Sequence, residues 1–169
     1  LSGFSFSPSL SPNKTVKNKK VEKMKALKFY QKAATKLENL KDVPPLLIRL
    51  VLAYGFYGPA TMKWGNISGI AEWFAGMGIP FPGLNAYLAA STEMAAVILL
   101  SLGLATRFIS IPLLFTMVVA IVTVHIGNGF EAGNNGFEIP LYYFIMLTVL
   151  LFSGPGKYSI DNLLSKKIK

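Results

Sequence analysis

The stretch "LNAYLAASTEMAAVILLSLGLA", residues 84–105, decides the fold. It is apolar along nearly all its length, and a helix of that length rises roughly 33 Å at about 1.5 Å per residue. That is enough to cross the hydrocarbon core of a bilayer, so the stretch predicts a membrane span. One acid, Glu93, lies near its middle. At that depth a carboxyl group must be neutral, paired or in contact with water, because a charge facing lipid is costly.

Composition and patterning extend the membrane prediction to the whole chain. Of the 169 residues 52% are hydrophobic and only 15% are charged, and the length suits one domain. We predict an all-α fold, an integral membrane four-helix bundle. A short amphipathic stripe over residues 67–77 predicts an interfacial helix between spans one and two. The four predicted spans are residues 45–62, 84–105, 108–126 and 139–152.

The ends of the chain differ from this apolar region. Residues 1–23 are rich in Ser, Pro, Lys and Asn, and we interpret them as a disordered leader or an expression remnant. Residues 24–42 predict a basic amphipathic helix, which either lies along the membrane surface or packs as a solvated helix on the protein's own cytoplasmic face. Residues 43–161 then form the membrane domain, and residues 162–169 a basic C-terminal tail.

The basic residues indicate the topology and the surroundings. Eleven of the 17 lie before position 50 and four lie after position 156, while Arg107 lies in the short connection between spans two and three. The positive-inside rule therefore predicts a multi-pass membrane protein with both termini in the cytoplasm. Basic tails beside spans favour the lipid bilayer as their partner, so we expect no nucleic acid.

Residue types that are rare or missing limit the chemistry. The chain has no cysteine, which excludes disulfides, thiolate nucleophiles and zinc–thiolate sites. His125 is the single histidine, so one chain cannot form a multi-histidine metal site. We predict no metal site, and no glycine-rich phosphate loop is recognisable.

Glu93, His125 and Glu138 are the candidate catalytic residues. His125 ends span three and Glu138 begins span four, so we expect their side chains to face each other at an outer mouth above Glu93. Such a cluster could shuttle protons, bind a quinone carbonyl or ligate a metal, or it could simply cap the loop. We expect Glu93 to be uncharged and hydrogen-bonded, either as a purely structural interhelical contact or as a proton acceptor.

Five further residues are candidates for substrate binding. Arg49 lies one turn into span one, where it either extends to the headgroups or turns inward toward Glu93. Asn128 belongs to the loop at the outer mouth. The tyrosines either line a quinone pocket or pack within the bundle and its interface belt. The five are Arg49, Tyr57, Asn128, Tyr142 and Tyr143.

From residue 49 to about residue 161 the chain resembles the DoxX family of small four-span bacterial membrane proteins. The stretches that carry the resemblance are "RLVLAYGFYG", "FAGMGIPFPGLNAYLAASTEMAAVILLSLGLATR", "VHIGNGF" and "NNGFEIPLYY…SGPGKYSID". Family members often have His-Gly late in span one, followed shortly by lysine. This chain has Tyr57-Gly58 instead, and its lysine follows later, at Lys63.

The resemblance implies redox-linked membrane work, because relatives are described as subunits of a thiosulfate:quinone oxidoreductase or as partners of soluble oxidoreductases. The first functional hypothesis is a redox-linked accessory subunit with a polar pocket for a quinone or a small sulfur or peptide substrate. "TVHIGNGFEAGNNGFEIPLYY" is closer to a subgroup associated with copper-binding modified peptides. The second hypothesis is therefore a non-catalytic maturation or assembly factor for such a peptide, and the third is a structural scaffold.

The topology prediction can be tested by labelling, because the chain has no cysteine of its own. Cysteines placed at Ser68 and Asn134 should react with a membrane-impermeant reagent in cells whose outer membrane is permeabilised. A cysteine at Ser165 should not react, since the charge bias places it in the cytoplasm. The opposite labelling pattern would contradict the prediction.

Overall fold

The structure is a computed structural model, and it describes residues 14–168. That part of the chain is helical and contains no β-strand, which confirms the predicted all-α class. A π-helical turn, Ile121–His125, continues α5, and two short 3₁₀ turns follow it before α6. The helices are α1 (Lys14–Glu38), α2 (Val43–Gly65), α3 (Ile67–Gly76), α4 (Pro82–Leu102), α5 (Thr106–Ala120), α6 (Glu138–Ser153) and α7 (Ile160–Ile168).

The N-terminal helix begins earlier than the sequence pattern suggested. α1 starts at Lys14 rather than at residue 24, so residues 14–23 are helical and were wrongly assigned to a disordered leader. Residues 1–13 of that leader lie outside the described residues. α1 belongs to a compact unit separate from the rest of the chain, and its large apolar side chains, such as Phe29 and Tyr30, are exposed. Its contact with a membrane surface stays a prediction.

The second unit contains the apolar helices. Within residues 41–168, three segments are long and apolar enough to cross a membrane: α2, α4 and the continuous segment Thr106–Asn128. α6 is also apolar but has only 16 residues, or roughly 24 Å of helix. The structure thus contains the helices of the predicted bundle, and the crossing of the membrane by α6 stays a prediction. α3 occupies the place of the predicted interfacial helix.

The core lies between α2, α4, α5 and α6. Leu52, Leu100, Leu113 and Leu147 are fully buried there. Fully buried alanines on α2 and α4 permit close helix approach, as in other membrane bundles. Large apolar side chains on the outside remain exposed, as expected for helices whose outer surface contacts lipid. Examples are Tyr54, Phe108, Phe115 and Phe152.

Arg49 closes one end of this bundle. Its side chain is fully buried, and its guanidinium donates to the backbone carbonyls of Leu100, at 3.1 Å, and of Tyr158. Arg49 therefore ties α2 to the end of α4 and to the segment that precedes α7. The structure does not place it among headgroups or beside Glu93, so both sequence-based interpretations of Arg49 are wrong.

Asp161, in the first turn of α7, joins the same end. Its carboxylate accepts the backbone N–H groups of Ala105, at 2.8 Å, and Thr106, at 3.1 Å. These N–H groups lie at the start of α5, where no helical carbonyl precedes them, so Asp161 supplies the missing acceptor. The helix that contains most of the predicted basic tail is thus docked on the bundle through its first turn.

Gly103 offers a test of this closed end. Its φ of +65° is left-handed, and a Cβ there would collide with the Arg49 guanidinium. We expect Gly103→Ala to lower the free energy of unfolding by at least about 1–2 kcal/mol, the usual penalty for a left-handed alanine. Gly58→Ala is the control, because it lies within α2 and a Cβ there meets nothing within 4 Å. Equal thermal unfolding temperatures in detergent for both variants would contradict the prediction.

Candidate functional site

A cavity of about 430 Å³ lies among α2, α3, α4, α5, the π-helical turn and α6. Most of its wall is apolar or aromatic, and it includes Phe56, Trp73 and Phe74. It also borders exposed residues such as Asn135 and Ile139, so a ligand can reach it from outside. The ionisable side chains in its wall are Lys63, Glu93, His125 and Tyr143, and the polar side chains Thr116, Thr123 and Asn135 also line it.

Lys63 and Glu93 form an ion pair in this wall. The Lys63 Nζ lies 2.8 Å from Glu93 Oε2 and 3.0 Å from Oε1, and the two side chains are 12% and 4% exposed. An ammonium offers three donors and an ionised carboxylate offers only acceptors, so contact with both oxygens fits an ionised pair. It is the only ion pair among the side chains that the structure describes, and the pair has no net charge.

This geometry gives Glu93 a partner that the sequence analysis did not name. Neither Arg49 nor a threonine or tyrosine of another span contacts its carboxylate in the described part of the chain. An uncharged Glu93 was expected because burial disfavours a charge, and Lys63 was not considered as its partner. α2 instead continues to Gly65, so Lys63 is held within a helix and its long side chain reaches the carboxylate.

His125 ends the π-helical turn and also lines the cavity. Its Nδ1 lies 2.8 Å from the backbone carbonyl oxygen of Asn135. A carbonyl oxygen can only accept, so this contact assigns the proton to Nδ1. In the neutral ring, Nε2 then carries a lone pair, and nothing in residues 14–168 donates to it.

Tyr143, on α6, contributes a hydroxyl to the same cavity. Its ring packs edge-on against Phe56, with ring centroids 5.4 Å apart. Within the described chain the hydroxyl makes no hydrogen bond, which leaves it available to a ligand. Gly55 provides the space for it, because a Cβ at that position would collide with the Tyr143 hydroxyl.

Glu138 and Tyr142 lie outside the cavity wall. Glu138 accepts the backbone N–H of Ala132, at 3.0 Å, and the Tyr142 hydroxyl, at 2.9 Å. The structure does not bring Glu138 and His125 into contact, since each binds a different part of the loop between them. Glu138 therefore holds this loop on α6, as in the capping alternative.

The remaining predicted site residues, which are Asn128, Tyr57 and Arg49, also lie outside the cavity wall. Asn128 donates to the carbonyls of Val124 and Asn135, and so stabilises the loop. Tyr57 lies on an exposed face of α2, and Arg49 closes the opposite end of the bundle. The structure thus brings together Glu93, His125 and Tyr143. Sequence reasoning missed Lys63 as their neighbour, although the lysine after span one in the DoxX resemblance was a signal for it.

Long apolar helices around a buried ion pair define an all-helical membrane protein. Comparison with known proteins identifies the group: the sequence model of the DoxX family matches residues 45–126. Together with the relatives described next, this match shows that the chain belongs to the DoxX family.

Three relatives illustrate the similarity. Inner membrane protein YqjF of Escherichia coli is 30% identical over 141 residues, which cover 78% of this chain and 99% of YqjF. Membrane protein Rv3486 of Mycobacterium tuberculosis is 35% identical over 73% of this chain and 84% of its own length. A Bacillus subtilis protein named "Putative oxidoreductase CatD" is 29% identical over 63% of this chain and 75% of its own length. No solved structure matches the chain significantly.

The ion pair predicts a specific pattern of stability. Glu93→Gln and Lys63→Gln each leave one buried charge without its partner, which destabilises proteins by about 3–5 kcal/mol. The double variant leaves no charge, so its loss should be smaller than the sum of the two single losses. Thermal unfolding in detergent measures all four proteins. Additive losses would show that the two side chains do not interact.

Proposed function

We propose that this protein is a redox-linked membrane subunit that binds a neutral, amphipathic molecule of the quinone type. The observation that carries the proposal is the apolar, aromatic cavity with a closed ion pair in its wall. Its volume of about 430 Å³ lies within the usual range of small-molecule sites. The relative named as an oxidoreductase supports the redox assignment.

The charges favour a neutral ligand over a small sulfur anion. Lys63 is the only lysine or arginine in the described cavity wall, and Glu93 already neutralises it. An anion could bind Lys63 only by separating it from Glu93, which would leave the carboxylate buried and unpaired. A neutral ring leaves the pair intact.

The cavity residues can be assigned separate roles. Phe56 and Trp73 provide apolar surface against which a planar ring can pack. The Tyr143 hydroxyl is a donor for a ring oxygen. A bound quinone would supply reversible two-electron, two-proton chemistry. The Lys63 ammonium holds one proton beside the cavity, and transfer of that proton to Glu93 would leave the net charge of the pair at zero.

The proposal includes a location and partners. Both termini lie in the cytoplasm, and α3 and the loop between α5 and α6 lie on the outer side of a bacterial inner membrane. The name of YqjF and the distribution of basic residues support this placement. The partner is another membrane or soluble redox protein. Copper and a modified peptide stay predictions. Within residues 14–168, no group of three or more His, Asp or Glu side chains is arranged so that it could hold a metal ion.

Tryptophan fluorescence tests the ligand site. Trp73 lines the cavity, whereas Trp64 packs against Tyr87 with ring centroids 6.1 Å apart. The chain has only these two tryptophans. In Trp64→Phe protein, tetramethylbenzoquinone should quench the remaining Trp73 emission in a saturable manner, because the probe binds next to it.

Two control variants make this test specific. Trp73→Phe protein should show only the linear quenching that a quinone dissolved in the detergent produces. Ala120→Phe, introduced into the Trp64→Phe protein, should remove the saturable component, because Ala120 lines the cavity and a larger side chain there fills it. Saturable quenching that survives this filling, or linear quenching of Trp73 alone, would contradict the proposal.

A further inference from the structure

His125 is the last residue of the π-helical turn. π-turns within helices are rare overall, and those that do occur are often found at functional sites. This one carries three residues of the cavity wall: Thr123, Val124 and His125. It ends where the histidine ring meets the loop that returns to α6. The position of the ring therefore depends on backbone geometry on both sides of the loop.

The loop carbonyl that binds His125 is itself fixed. The Asn135 carbonyl accepts from His125 Nδ1 at 2.8 Å and from Asn128 Nδ2 at 3.2 Å. Asn135 has a left-handed φ of +60°, which aligns the loop before α6. With Nδ1 committed to this carbonyl, Nε2 is the remaining nitrogen of His125, and in the neutral ring it can only accept.

A hydrogen-bond acceptor in a cavity wall discriminates between the two oxidation states of a quinone-type ring. The oxidised ring carries carbonyl oxygens. A carbonyl oxygen that faces the Nε2 lone pair places two acceptors against each other with no proton between them. The reduced ring carries hydroxyls, which can donate to Nε2. Tyr143 does not discriminate in this way, because its hydroxyl both donates and accepts.

We propose that Nε2 of His125 accepts a hydrogen bond from a hydroxyl of the ligand, so that the cavity binds the reduced, phenol-bearing form more tightly than the oxidised form. The inference rests on the proposed function, because it needs a ring of this class in the cavity. It adds the preferred oxidation state and the residue that sets the preference. His125 thereby becomes a specificity residue whose contribution is separable from the Lys63–Glu93 pair.

The test compares two probes by isothermal titration calorimetry in detergent. One is tetramethylhydroquinone kept under reducing conditions, and the other is its dimethyl ether, which has the same ring but no hydroxyl proton. The wild type should bind the hydroquinone on the order of tenfold more tightly, as one hydrogen bond to a buried acceptor implies. His125→Phe should bind both probes with the affinity that the wild type has for the ether.

The matched control is Tyr57→Phe, which also removes a polar group but lies on an exposed face of α2 outside the cavity wall and keeps the His125 ring. It should retain the preference for the hydroquinone. His125→Leu repeats the test if His125→Phe does not fold. Equal affinities in the wild type, or a preference that persists without the His125 ring, would overturn this inference and leave the proposed function standing. Failure of the hydroquinone to bind the wild type would overturn this inference, and the proposed function would fail with it only if tetramethylbenzoquinone also failed to quench Trp73.

Discussion

A polar group that enters an apolar helical bundle in a membrane must find its partner within the chain, because lipid offers none. Glu93 meets this requirement through Lys63, on the neighbouring helix α2. Arg49 meets it differently, through two backbone carbonyls near the other end of the bundle. One polar contact thus lies in the wall of a cavity and the other fastens the chain's C-terminal segment. The same constraint produces a candidate site in one place and a structural joint in the other.

The fold was largely predictable, because it depends on local patterns. Long apolar runs predicted the helices of the bundle, and the amphipathic stripe predicted α3. The start of α1 was predicted too late, since the polar, lysine-rich residues 14–23 have no apolar stripe that would indicate a helix. The docking of Asp161 on the start of α5 also escaped prediction. It joins residues more than fifty positions apart, and no sequence spacing marks such a contact.

The site was predictable only in part, for a related reason. Glu93 and His125 attracted notice because ionisable residues are unusual beside or within spans. Their neighbours depend on helix register and side-chain reach, which periodicity does not give. Lys63 appeared to belong to a loop, and Glu138 appeared to face His125 because the two lie at similar heights. The structure instead directs Glu138 to the loop backbone, and it directs Lys63 into the cavity wall.

The ionised state of the Lys63–Glu93 pair is the central claim of this account, because an ionised Glu93 occupies Lys63 and makes it unavailable to an anionic ligand. Infrared difference spectroscopy between the wild type and Glu93→Gln tests it directly, because the other seven of the eight Asp and Glu residues cancel. The account predicts that the variant loses the bands of an ionised carboxylate. Loss of the carbonyl stretching band of a protonated carboxylic acid would show that Glu93 is neutral and would contradict the account.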